Sequence, residues 1–451
     1  MFKVILLIFL TMVQFDLIAS PFGVMNSDDF IKVKKLSREL LIQKNSQDKS
    51  VILDNDRAEE MVDRPEDLIS NLEEMEDAKL LTGKLNVMPW SDSYWPIYTG
   101  STALRYNDSE MSFETWPEYK KYYEANPAAK LIMTNRLDEL SPAEKYDFIF
   151  SLKTSGLTNY SWNEGEMYFK QFNKVETWMG LCHGWAVASM ILPDPKKDVE
   201  VNTIFGKKLT LHPSDIKALG TQLFANGNVP SKFIGGRCDI KNPKKDSNGR
   251  VTVEDCIDNN PGTWHKVITH QIGKVQRSFI MDATYDYEVW NQPVYSYRYQ
   301  YFHPVTNEKK NKLSEAIISI NDFKNDERKA YRHEKTTSVV GIEMKVKYVV
   351  ETEPSIDEDQ ESIVSEVTYR YDLELDSKKN IIGGEWYSKA HPDFLWLPKA
   401  NHIPSTFGDS QFQSINLNAI SKLLSPLAKQ NASMGLPLSS IVKTLFNASK
   451  E

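Results

Sequence analysis

Two runs in the second half of the chain restrict the fold more than any other feature. From Ile342 to Val350, Ile, Met, Val, Tyr and Val fall on alternate positions, and from Val367 to Leu375 Val, Tyr, Tyr, Leu and Leu do the same. A period of two puts successive side chains on opposite faces of a strand, so both runs read as half-buried antiparallel strands. The acidic stretch between them, Glu351 to Glu366, reads as a solvated loop. It lacks the Asp-x-Asp-x-Asp-Gly spacing of a calcium loop.

The remainder of the chain is of mixed character. Leu140-Ser141-Pro142-Ala-Glu144 matches a capping box that starts a helix, and Ser214 precedes Ile216, Leu219 and Leu223 at helical spacing, with Gly227 as a stop. With 451 residues, 41% hydrophobic and 26% charged, the chain has the composition of a globular protein. A net charge of -8 argues against a nucleic-acid partner. Lys3, the apolar run Val4 to Val13 and the small residues Ala19 and Ser20 have the layout of a secretory leader. No other stretch approaches the roughly 20 apolar residues of a membrane span. The expectation is a soluble protein without a membrane anchor, secreted or periplasmic once residues 1–20 are removed. Residues 21–85 are charged and poor in aromatics, and read as a helical arm or pro-segment. Residues 86–405 form the expected main packed domain, and 406–451 a helical tail. Sequons at Asn107, Asn159, Asn431 and Asn447 matter only in a eukaryotic secretory pathway.

Three cysteines in an exported chain leave one over after any pairing. Cys238 and Cys256 flank a polar loop and could close it as a disulfide, worth roughly 3 kcal/mol in the chain-entropy model. Cys182 then stays free, in the run Trp178-Met-Gly-Leu-Cys182-His-Gly-Trp185. The small and apolar residues that follow, ended by Pro193, predict a short helix whose first turn holds Cys182. Unpaired backbone N–H groups and the positive dipole end favour a thiolate there. A buried cysteine packing as a small hydrophobe is the plainer alternative.

A cysteine nucleophile needs a base and a group that orients the base. His265 begins an apparent strand to Ile272, Gly273-Lys274 suits a two-residue turn, and Val275 to Asp282 reads as the returning strand. If Ile272 pairs with Val275, the partner of His265 is Asp282, within hydrogen-bonding reach across the pair. Cys182, His265 and Asp282 then follow the chain order of papain-like and transglutaminase-like enzymes. His183 is a poorer base because it adjoins the nucleophile on the same turn. No His/Cys cluster has the spacing of a zinc site.

Gly180-Leu-Cys182-His-Gly-Trp185-Ala, Asp215-Ile-Lys-Ala-Leu219, Glu288-Val-Trp290-Asn-Gln-Pro293-Val, Gly383-Gly-Glu-Trp386 and His391-Pro-Asp-Phe-Leu-Trp396 together resemble the transglutaminase elicitor family of oomycetes and some bacteria. Pro89-Trp-Ser-Asp-Ser-Tyr-Trp95-Pro and Ser141-Pro-Ala-Glu also fit it, over about residues 87–400. The resemblance implies an α+β fold related to papain-like enzymes, a nucleophile helix packed on an antiparallel sheet with helical additions at both ends. It implies protein-glutamine γ-glutamyltransferase activity responsive to Ca2+, with Cys182, His265 and Asp282 as the triad. The partners would be a glutamine-bearing protein and a lysine or other amine. Animal transglutaminases place tryptophan directly after the cysteine, whereas here His183 and Gly184 intervene before Trp185. Trp178, Trp185, Trp264 and Trp290 are candidates for an oxyanion donor or a groove wall. The same triad would equally serve a cysteine peptidase or amidase, and a secreted binding protein without catalysis is the alternative from another class.

Overall fold

The two alternating runs pair with each other along their whole length. In the computed structural model Ser338–Val349 and Val364–Leu375 form an antiparallel pair from Val349↔Val364 to Ser338↔Leu375. Residues 56–450 are described, apart from 153–155, 237–239, 241, 247–250, 254–255, 257–258, 284–287, 358–359, 388–390, 410–414 and 421. The expected leader at 1–20 and Cys238, one end of the expected disulfide, lie outside the described residues.

The helices that build the site are α1 (Pro142–Phe150), α2 (Cys182–Ile191), α3 (Pro213–Asn226) and α4 (Pro261–Ile268). The main sheet contains β1 (Thr82–Lys84), β2 (Ser231–Gly235), β3 (Ile280–Asp282), β4 (Asn291–Phe302), β5 (Ser338–Val349), β6 (Val364–Leu375), β7 (Ile381–Trp386) and β8 (Phe394–Pro398). Its order is β7-β6-β5-β4-β3-β8-β2, and β1 also pairs with β4. These neighbours pair antiparallel, which defines a mixed fold of helices and antiparallel sheet. Ile342, Met344, Val346, Tyr369, Tyr371 and Leu373 are buried in one core beneath α4. A second core surrounds α2 and α3.

Helix α1 begins at the expected capping box: Ser141 Oγ accepts from the Glu144 N–H at 3.1 Å, and Glu144 accepts from the Ser141 N–H at 3.0 Å. Helix α3 starts earlier than Ser214. His212 is its N-cap, Pro213 its first residue, and Asp215 reaches back to the His212 N–H at 2.8 Å. Every residue of α3 is buried, and its charged side chains, Asp215 and Lys217, have internal partners. Lys145 of α1 meets Asp215 at 2.6 Å with both side chains fully buried, and Lys217 donates to the Ser91 carbonyl at 2.9 Å.

Two expectations are corrected. Residues 261–274 are helical, α4 running into a π-helical turn at Thr269–Lys274, so the His265–Asp282 hairpin does not form. Trp264, Val267, Ile268, Gln271 and Ile272 are all buried, at a spacing that suits a helix. Gly273 serves close packing: a Cβ there would lie 2.5 Å from the Tyr297 hydroxyl. The described part of the expected arm is not peripheral, since Ala58, Met61, Leu72 and Met75 are fully buried and β1 is a strand of the sheet. Its helices are short, Ala58–Met61, Pro65–Asp67 and Leu72–Asp77. The sequon at Asn431 is closed within the fold. Its side chain is fully buried and hydrogen-bonds the Phe407 N–H and carbonyl and the Leu427 carbonyl.

Candidate active site around Cys182

Cys182 is the first residue of α2, as its surroundings in sequence suggested. Two close approaches seat it. A Cβ on Gly180 would lie 2.4 Å from the Tyr94 carbonyl, which also accepts from the Leu181 N–H at 2.6 Å. A Cβ on Gly184 would lie 2.3 Å from the Thr221 carbonyl of α3. The glycine between His183 and Trp185 therefore lets two helices pack backbone to backbone. Helix α2 packs mainly on α3 and also touches β4.

Asn291 Nδ2 donates to Cys182 Sγ at 3.3 Å, and Sγ lies 3.8 Å from the Val289 carbonyl. Asn291 is oriented in turn by Trp396 Nε1, which donates to its Oδ1 at 2.9 Å. Asn291 pairs across β3–β4 with Asp282, so their Cβ atoms share one face about 5 Å apart. Asp282 is fully buried and accepts from the Trp290 N–H at 3.4 Å. Gln292 Nε2 contacts both Glu351 oxygens at 3.1 Å.

The thiol is 5% exposed. Burial pushes its pKa up to about 11; the Asn291 hydrogen bonds oppose this, and the Glu351 and Asp282 carboxylates add to it. The resting group is a thiol. The thiolate expected from the helix dipole is outweighed, because desolvation disfavours a charged sulfur more than one helix end favours it.

His265 is placed elsewhere. Its Nδ1 is 2.8 Å from the Tyr371 hydroxyl and its ring meets Tyr299 edge-on at 4.7 Å. Burial lowers its pKa to about 3, which keeps the imidazole neutral. The structure thus brings Cys182 and Asp282 into one neighbourhood and seats His265 in the tyrosine-rich core beneath α4. Burial likewise lowers His183 to about 4. Of the tryptophans, Trp178 Nε1 donates to Glu176 at 2.6 Å, Trp185 to the Trp90 carbonyl at 3.0 Å and Trp290 to Glu288 at 3.1 Å. Trp264 packs edge-on against Phe279 and Tyr369 in the core. Trp290 follows Val289, whose carbonyl lies 3.8 Å from Cys182 Sγ, and meets Tyr94 edge-on at 5.2 Å.

Asn291 and Trp396 were not among the expected site residues. Both stand inside motifs that carry the family resemblance, yet only the β3–β4 register and the course of β8 bring them together. Four such motifs, at 89–96, 180–186, 288–294 and 391–396, converge near Cys182.

Fold and site together define a protein of helices and antiparallel sheet with a covered cysteine at a helix start. A family model described as Transglutaminase elicitor matches residues 64–425, and the chain belongs to that family. No curated protein matches the sequence. The structure is similar to the crystal structure of the GP42 transglutaminase from Phytophthora sojae, with a TM-score of 0.50 and 19% identity over 81% of this chain and 94% of that one. At that identity the likeness is one of fold. Among the described residues, no helix is long and apolar enough to cross a membrane.

Proposed function

We propose that the protein is a secreted protein-glutamine γ-glutamyltransferase on a papain-related core, with Cys182 as nucleophile. The observation that carries this is the sulfur at the start of a helix, with the Asn291 amide aimed at it and fixed from behind by Trp396.

Cys182 Sγ attacks the side-chain amide carbon of a glutamine as its proton passes to a carboxylate. Asp282 is the acceptor this reading assigns, because it stands opposite Asn291 and its charge bears on the thiol. Its role shifts from orienting an imidazole to moving the proton. The protonated carboxyl then donates to the departing nitrogen, the C–N bond breaks, ammonia leaves and a thioester remains. A lysine amine attacks the thioester, loses a proton and releases the sulfur, which recovers the thiol. The Asn291 amide, close to Sγ, and the backbone N–H groups at the start of α2 are the donors available to the developing oxyanion.

The burial of the thiol favours amine transfer over hydrolysis, since water must be kept from the thioester until the amine arrives. Labelled-amine incorporation into a glutamine-rich protein, run with calcium and with chelator, tests the reading. Activity lost in Cys182→Ala supports it. Ammonia release that added amine leaves unchanged indicates an amidase or peptidase, and an inert wild-type protein indicates a binding protein.

A further inference from the structure

The outward face of the sheet at β1, β4, β5 and β6 carries its charge unevenly. Toward one end Glu343 is shared between Lys309, at 2.6 Å, and Arg370, at 3.6 Å. At the other end a cavity of about 280 Å³ is lined by Lys84, Arg298, Lys345 and Lys347, with Glu366 as the carboxylate among its lining residues.

The strand registers create this concentration. Arg298 stands directly opposite Lys345, a like-charge pairing that weakens a sheet unless something else neutralises it. One row along, Lys84 is opposite Ser296, which is opposite Lys347. Glu366 pairs with Lys345 at 3.1 Å and is the one carboxylate among the lining residues, beside four cations. Lys84 Nζ lies 5.5 Å over the Tyr295 ring. In a chain of net charge -8, such a local excess of positive charge is out of keeping with the whole.

We propose that this cavity binds a soluble, compact polyanion carrying two or more phosphate groups. Neighbouring strands lie about 4.8 Å apart and alternate residues about 6.7 Å apart, so the four cations cover an area roughly 5–10 Å across. That matches a small molecule rather than a long chain. A long polyanion or a charged membrane would also meet the acidic remainder of the protein, whereas a small ligand within about 8–10 Å senses only the patch.

Titration calorimetry of the full chain with tripolyphosphate tests this. Binding is expected, weakening as salt rises. Arg298→Gln and Lys347→Gln should each weaken it about fivefold or more, and Glu366→Gln should tighten it severalfold. Lys309→Gln, at the balanced end, should leave it unchanged. No binding at millimolar tripolyphosphate, binding indifferent to Arg298→Gln and Lys347→Gln, or binding confined to heparin fragments or phosphatidylserine vesicles would each overturn the proposal.

Discussion

Asn291 Nδ2 sits 3.3 Å from Cys182 Sγ, joining the tip of a strand to the start of a helix. Asn291→Ala would remove the donor and leave the Trp396 indole N–H without its acceptor at 2.9 Å. The expected cost is about 1–3 kcal/mol of stability. Because the Asn291 hydrogen bonds lower the thiol pKa, iodoacetamide alkylation in the variant should require higher pH than in wild type. Wild-type alkylation should itself be slow at pH 7 and climb toward pH 11.

Asp282 and His265 are separable by kinetics. Asp282→Asn should lower kcat on the order of 10²–10⁴-fold with a smaller change in KM. His265→Gln should act on the fold through the lost Tyr371 contact, costing about 1–3 kcal/mol in denaturant melts. Its turnover per folded molecule should stay within about twofold of wild type. A kcat collapse in a fully folded His265→Gln would return the imidazole to the mechanism.

The Lys145–Asp215 pair, fully buried at 2.6 Å, supports α3, on which the cysteine helix packs. Lys145→Met would strand a buried carboxylate and should cost about 3–5 kcal/mol. Adding Asp215→Asn should recover part of that loss, measured by urea denaturation of both variants.

Asp92 is fully buried. Burial lifts its pKa to about 7, although Lys217 and the Trp95 indole N–H act the other way. The folded state keeps this proton while the unfolded chain gives it up near its ordinary value of 3.8. Asp92 therefore makes stability fall as pH rises from about 4 to about 7, then adds no further change. Asp92→Asn keeps an acceptor for Trp95 and should flatten that part of the profile. Denaturation midpoints at pH 4.5 and 7.5 would show a wild-type decline that shrinks in the variant.

The strands at Ser338–Val349 and Val364–Leu375 were legible because Ile342, Met344 and Val346 are buried while Glu343, Lys345 and Lys347 between them are less so, although at Asp372 and Glu374 the polar positions are buried as well. The cysteine helix was legible from its small residues and Pro193. The stretch around His265 was not, because its β-prone residues also fit a helix, and tertiary packing under the tyrosines decides between them. The start signal was nevertheless present, with Asn260 capping the Gly262 N–H at 2.8 Å and Pro261 leading the helix. The Asn291–Cys182 contact spans 109 positions, and no local pattern encodes a pairing of that range.

Mass spectrometry of the acyl-enzyme tests the central claim most directly. The full chain is mixed with a glutamine peptide without amine, quenched in acid and digested. The account predicts a peptide adduct, less ammonia, on Cys182, removed by hydroxylamine or a lysine analogue and absent from Cys182→Ala. Steady amine incorporation by Cys182→Ala, or an adduct on another residue, would contradict it.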